Sequence, residues 1–106
     1  MGKYMLLKIK PGKRDLWLGW CDELMTLHKV ESLITLEEEC LIQERCLIFG
    51  EGDNSYVVYK HLSEIGKNKK TADMSRDLNV KHFKMFHECL EKVKGGMIVG
   101  YDFNRN

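Results

Sequence analysis

The sequence has one proline in 106 residues, no two cysteines at CxxC spacing, no long uninterrupted apolar run and no excess of either charge. Each scarcity excludes something. Seventeen basic residues against sixteen acidic ones leave a formal charge of +1, too little for the basic face that nucleic-acid binding needs to neutralise phosphates. The absence of paired short cysteine spacings argues against a zinc site, a redox motif or a disulfide framework. Cys21, Cys40, Cys46 and Cys89 sit singly on apolar-rich segments and read as reduced, hydrophobe-like side chains. No stretch approaches the roughly 18 apolar residues of a membrane span, and the opening apolar run is short and broken by lysines. A soluble cytoplasmic protein with no membrane partner is the expectation.

What is present is globular composition: 43% hydrophobic and 31% charged residues. The length suits one domain over residues 1–106 and a single core that buries roughly two-thirds of the unfolded surface. Residues 4–10, YMLLKIK, read as a first strand stopped by Pro11-Gly12. From about residue 13, Leu16, Trp17, Trp20, Cys21, Leu24, Leu27 and Ile34 recur at spacings of three and four, which predicts a long amphipathic helix to about residue 38. Glu37, Glu38 and Glu39 suit its carboxyl end poorly, because the helix dipole favours cations there. Residues 40–49 and 55–62 are apolar runs separated by GEGDN, a hairpin turn between strands two and three. A polar, lysine-rich stretch follows. Residues 80–93, VKHFKMFHECLEKV, carry Phe83, Phe86, Leu90 and Val93 at helical spacing, with Gly95-Gly96 as a stop. Residues 97–103, MIVGYDF, complete the pattern as strand four.

The predicted order is β-α-β-β-α-β: an α+β, ferredoxin-like fold in which two helices cover one face of a four-stranded antiparallel sheet. Both faces of strands one and four are apolar, so the uncovered face calls for a partner, and a homodimer supplies it most simply.

The stretch KIKPGKRDLWLGW, the element order, Glu44 in IQERCLI and the helix with Val80, His82, Glu88, Cys89 and Leu90 resemble the dimeric α+β barrel superfamily. Within it the similarity is to a family of small, functionally uncharacterised bacterial proteins, and it spans nearly the whole chain. It implies the fold and a dimer, without an established activity. Other members of the superfamily include cofactor-free monooxygenases, haem-binding or haem-degrading proteins and sugar mutarotases, whose function lives in a pocket between sheet and helices. The tryptophan pair and histidine-rich helix start of the mutarotases are missing here, as is the Asn-Trp-His set of the haem-degrading members.

Among candidate site residues, Glu44 stands out as a carboxylate within an apolar strand, on the predicted face of Ile42, Cys46 and Ile48. It either pairs structurally at a solvated edge or faces a pocket, where burial would raise its pKa and suit it to acid–base work. His82 lies in the first turn of its predicted helix, where the dipole keeps an imidazole neutral and able to take a proton. Glu44 and His82 are therefore the candidate catalytic pair. Trp17, Trp20, Tyr59 and Phe86 are candidate walls for a small organic ligand, and as plain core residues they would look the same. His87, about 140° around the helix from His82, is expected to be exposed, so the two cannot hold one metal. His28 and Glu31 lack a third ligand, and the GKNKK loop lacks the glycine pattern of a P-loop. No metal or cofactor is implied. Three functions remain open: a small-molecule-binding homodimer, a cofactor-independent monooxygenase or isomerase using Glu44 and His82, and an interaction module without a ligand.

Overall fold

The computed structural model describes residues 2–105. The elements run β1 (Gly2–Ile9), α1 (Arg14–Met25), α2 (Lys29–Glu38), β2 (Leu41–Glu51), β3 (Asn54–Ser63), α3 (Asp77–Cys89) and β4 (Leu90–Lys92). The fold is α+β, with a four-stranded sheet in the order β2-β3-β1-β4 and three helices. Every neighbouring pair of strands is antiparallel.

Turn chemistry fixes the ends of the first strands. Pro11 and Gly12, the latter at φ 75°, reverse the chain after β1; proline pre-sets one turn dihedral and glycine tolerates the positive one. In the β2–β3 hairpin Gly50 has φ 88°, and a Cβ there would lie 1.9 Å from the Asn54 carbonyl oxygen, so only glycine fits. The two turns are tied together: the Gly12 amide donates to Asp53 Oδ1 at 3.3 Å, and Arg14 Nη1 donates to the buried Ser55 Oγ at 2.7 Å.

The expected single helix over 13–38 is two helices. Thr26 donates its hydroxyl to the Asp22 carbonyl at 2.7 Å and leaves the helical region at φ −116°, ψ −81°. This local side-chain bond competes with the helical ladder, and Leu27 falls in the break, exposed. The acidic end of α2 extends to Glu38 because cations arrive from elsewhere in the sequence. Arg76 holds Glu38 through two bonds of 2.7 and 2.6 Å, and Lys69 lies 3.0 Å from Glu39.

The largest correction concerns the end of the chain. The predicted helix over 80–93 begins at Asp77 and ends at Cys89, and the next residues, Leu90–Lys92, are the fourth strand. Leu90 sits opposite Ile9 in that ladder, and Lys10 N donates to the Cys89 carbonyl at 2.8 Å. Residues 97–103, expected as strand four, form no strand; Phe103 is 90% exposed. Burial of Leu90 in the core outweighs the helical spacing it shares with Phe86.

Strand alternation divides the sheet into two faces. On the covered face, Leu7, Ile9, Val57, Tyr59 and Leu90 pack beneath Trp17, Trp20, Leu78 and Cys89, which together form the core. On the opposite face Leu47 and Phe49 are exposed, as is Tyr4, and Phe49 stacks on Tyr56 with ring centroids 5.5 Å apart. A bulge between Leu41 and Gln43 interrupts β2. It leaves Leu41 buried and turns Ile42 outward, off the face it was expected to share with Glu44.

Candidate functional site

Helices and sheet do not close evenly. Next to the packed core, where α1, α2 and α3 spread over β2 and β3, lies a cleft of about 1070 Å³. Leu18, Leu24, Met25 and Leu33 come to it from the first two helices, Phe83 and Phe86 from α3, and Cys46, Ile48 and Tyr59 from the sheet. Polar groups gather on part of this wall: Glu44, His61, His82, Lys69 and Glu39. A mainly apolar concavity with a few convergent polar groups is the usual make-up of a small-molecule site.

Glu44 follows the β2 bulge and stands opposite His61 in the β2–β3 ladder. Its Oε1 lies 2.8 Å from His61 Nε2. Its side chain remains 33% exposed, through the mouth of the cleft. Partial desolvation pushes the Glu44 carboxyl upward, but the hydrogen bond from His61, with the positive charge of Lys69, outweighs it, and the net shift is downward. The expected raised pKa is thus reversed, since the carboxylate keeps both solvent access and a hydrogen-bond donor. An ionised carboxylate only accepts, so the nitrogen of His61 that faces it carries the hydrogen. His61 also stacks on Tyr59, with centroids 5.8 Å apart.

His82 is placed differently. Trp20 Nε1, a donor only, gives its hydrogen to His82 Nδ1 at 2.8 Å, and the two rings stack at 6.0 Å. Desolvation lowers the His82 pKa, against an upward pull from Glu44 and Glu39. Indole and burial act together: a proton on Nδ1 would set donor against donor. His82 is therefore held neutral, as expected, with Nε2–H as its remaining donor, but its basic nitrogen, Nδ1, is occupied by the Trp20 indole.

Of the expected ligand walls, Tyr59 and Phe86 line the cleft, whereas Trp17 and Trp20 do not. The tryptophans are 0% and 2% exposed and form the layer behind it, Trp17 edge-on to Tyr59 at 6.5 Å and to Phe86 at 6.4 Å. They act on the cleft through what they hold in place. His87 is exposed and stands at the rim, 4.2 Å from the ring of Phe83. His28 and Glu31 lie elsewhere, in a small hollow with Arg76 and Lys81.

Sequence reasoning missed His61. It is the one histidine of β3, an alternating strand, and its partnership with Glu44 follows only from the hairpin register, which the turn Gly50–Asn54 sets. Counting back from the turn pairs Glu51 with Asn54 and, with no bulge before Gln43, Glu44 with His61. The signal was available in the turn.

The arrangement defines an α+β domain that carries an open, mostly apolar sheet–helix cleft with an ionised carboxylate and a neutral imidazole in its wall. The chain belongs to DUF6176, a family of unknown function, which matches residues 3–99. No curated protein and no solved structure matches it. Among the described residues no helix is long and apolar enough to cross a membrane.

Proposed function

We propose that this protein binds a small, mainly apolar organic molecule in the cleft between sheet and helices. The observation that carries the reading is the joint presence of Glu44 and His82 in the wall of one large apolar cleft. Their chemistry is complementary. Glu44, held ionised, accepts a hydrogen bond from a hydroxyl or N–H group, and His82, held neutral by Trp20, offers Nε2–H to a carbonyl. A hydroxyaryl carbonyl compound presents both groups on a flat apolar frame that suits Tyr59 and Phe86. The test is a thermal-shift screen of such compounds. We expect at least one to raise the Tm of the wild-type protein and to lose most of that effect with Glu44→Gln. Failure of every compound, or equal stabilisation of Glu44→Gln and His82→Gln, would remove the reading.

A second reading is catalytic: a cofactor-independent monooxygenase or isomerase in which Glu44 takes a proton from an activated carbon. The Glu44–His61 hydrogen bond favours it, because it fixes the carboxylate and leaves its second oxygen for a substrate. In this reading His82 polarises the substrate by hydrogen bonding. Exchange of a substrate C–H into deuterated water by the wild type, lost in Glu44→Gln, is the expected result.

The quaternary proposal is a homodimer through the open sheet face, as in dimeric α+β barrels. Leu47, Phe49 and Tyr4 expose apolar surface there, and a self-complementary two-fold contact would cover it. With α1 and α2 taken as one bent helix, the order β2-β3-β1-β4 supports the ferredoxin-like arrangement. Sedimentation should give twice the chain mass for the wild type and a monomer for Leu47→Asp/Phe49→Asp. A monomeric wild type overturns the dimer and leaves the cleft proposal standing.

A further inference from the structure

Two of the four free cysteines, Cys21 and Cys46, line the same cleft. Cys46 lies on β2 directly opposite Tyr59 of β3. Cys21 lies on α1, one helical turn beyond Trp17, and both cysteines pack against the core. Above them the Trp17 indole N–H, fully buried, has no acceptor at full hydrogen-bond geometry. The Cys46 sulfur is the group it acts on, and the Cys21 thiol and the Tyr59 hydroxyl act on the same sulfur. The contact with Trp17 is too long or too oblique to satisfy the indole when Cys46 is a thiol, a weak acceptor. A sulfur that carries negative charge accepts far more strongly, so a buried donor with no better partner favours the thiolate there.

We propose that Cys21 and Cys46 form a reversible dithiol–disulfide pair in the cleft wall, oxidised by a small hydroperoxide that enters the cleft. The assignment uses the cleft but does not require Glu44 or His82 to bind a ligand.

The roles of the two sulfurs differ. The interaction between the two sulfurs favours the thiolate on Cys46 and the thiol on Cys21, and the Trp17 indole and Tyr59 hydroxyl beside Cys46 favour the same side, so Cys46 loses its proton first. The Cys46 thiolate attacks the terminal oxygen of the hydroperoxide; an S–O bond forms, the O–O bond breaks, and the alkoxide leaves and takes up the proton that Cys46 had released to water. Cys21 then attacks the sulfenic sulfur; the S–S bond forms, the S–O bond breaks, and hydroxide leaves as water with the Cys21 proton. Two thiols lose two electrons, and one hydroperoxide becomes an alcohol and water. Cys89 supplies a contrast within the same chain: it is fully buried, burial raises its pKa, and it does not line the cleft.

Trypsin separates all four cysteines, because cleavage follows Arg14, Lys29, Arg45, Lys60, Lys84 and Lys92. The purified protein is treated with one equivalent of hydrogen peroxide, its remaining thiols are alkylated, and its tryptic peptides are weighed. The expected result is peptide 15–29 joined to peptide 46–60 within one chain, two hydrogens lighter than their sum and separated again by dithiothreitol. A disulfide involving peptide 30–45 or 85–92, a link between chains, or four unreacted thiols overturns the proposal. With Cys21→Ser, dimedone should label Cys46 and no other cysteine; with Cys46→Ser, Cys21 should stay reduced. Oxidation of Cys21 at an unchanged rate in Cys46→Ser also overturns it.

Discussion

The covered face of the sheet has a dry half and an open half, built from the same strands and the same helices. In the dry half Leu7, Ile9 and Val57 meet Trp17, Cys89 and Leu90, all nearly inaccessible. In the open half, starting two residue pairs further along the β2–β3 ladder, Cys46, Glu44 and His61 face a cleft. The difference lies in what stands above the sheet. Two indoles fill the dry half, while over the open half α1 has ended at Met25 and α2 sets off in a new direction, so Leu33 and Met25 remain exposed. A helix break and a single bulky pair of residues divide one layer into core and site.

Substitutions on either side should behave unequally. The largest effect is expected for Trp17→Ala in the dry half, a loss of about 3–5 kcal/mol in urea denaturation; a cost near zero would mean that the dry half is not the core. Trp20→Phe keeps an aromatic ring but loses the pyrrole part of the indole and its donor, which leaves His82 Nδ1 without its partner and adds about 1–3 kcal/mol to the cost of the smaller side chain. That added part should vanish in a His82→Leu background, where no acceptor is stranded, and an undiminished cost there would deny the bond its role. Phe83→Ala, at the exposed side of the cleft, should cost less than about 1 kcal/mol. If Phe83→Ala proved as costly as Trp17→Ala, the distinction between the halves would fail.

Acid should sharpen the same contrast. His82 is held below its ordinary value of 6.5, so between that value and its folded one the unfolded chain binds more protons. Its contribution is complete above pH 6.5 and is lost as the pH falls from there. Glu44, held below 4.5, adds its own loss only under that value. Stability should therefore decline between pH 6.5 and 4.5 in the wild type and decline less in His82→Gln, whose amide oxygen can still accept from Trp20.

Much of the frame was legible because it rests on local rules. Pro11-Gly12 ended β1, GEGDN placed the hairpin, and the spacing of Trp17, Trp20 and Cys21 marked the buried stripe of α1. The failures came where distant partners decided. Leu90 and Val93 continue a helical pattern, but β1 had room for a strand beside Leu7–Ile9 and took residues 90–92 first. Glu38 and Glu39 looked wrong for a helix end until Arg76 and Lys69 came beside them. In the cleft, Glu44 was conspicuous by its apolar neighbours, whereas His61 had no such contrast and the downward shift of Glu44 depended on it. That the tryptophans stand behind the wall rather than in it followed from depth, which periodicity does not encode.

The register also sets an order of events in time. β2 and β3 are joined by a tight turn and pair along their whole length, whereas β1 meets β3 only across some fifty residues, as in Leu7 opposite Val57. Closing so long a loop costs more entropy than closing the hairpin turn, and that cost comes before the contacts that repay it. The hairpin should then form the nucleus on which β1 docks, and Gly50 is its tightest point. Replacing Gly50 with alanine should slow refolding, while Leu7→Ala should mainly quicken unfolding, so stopped-flow chevrons would separate two lesions that an equilibrium melt reports alike.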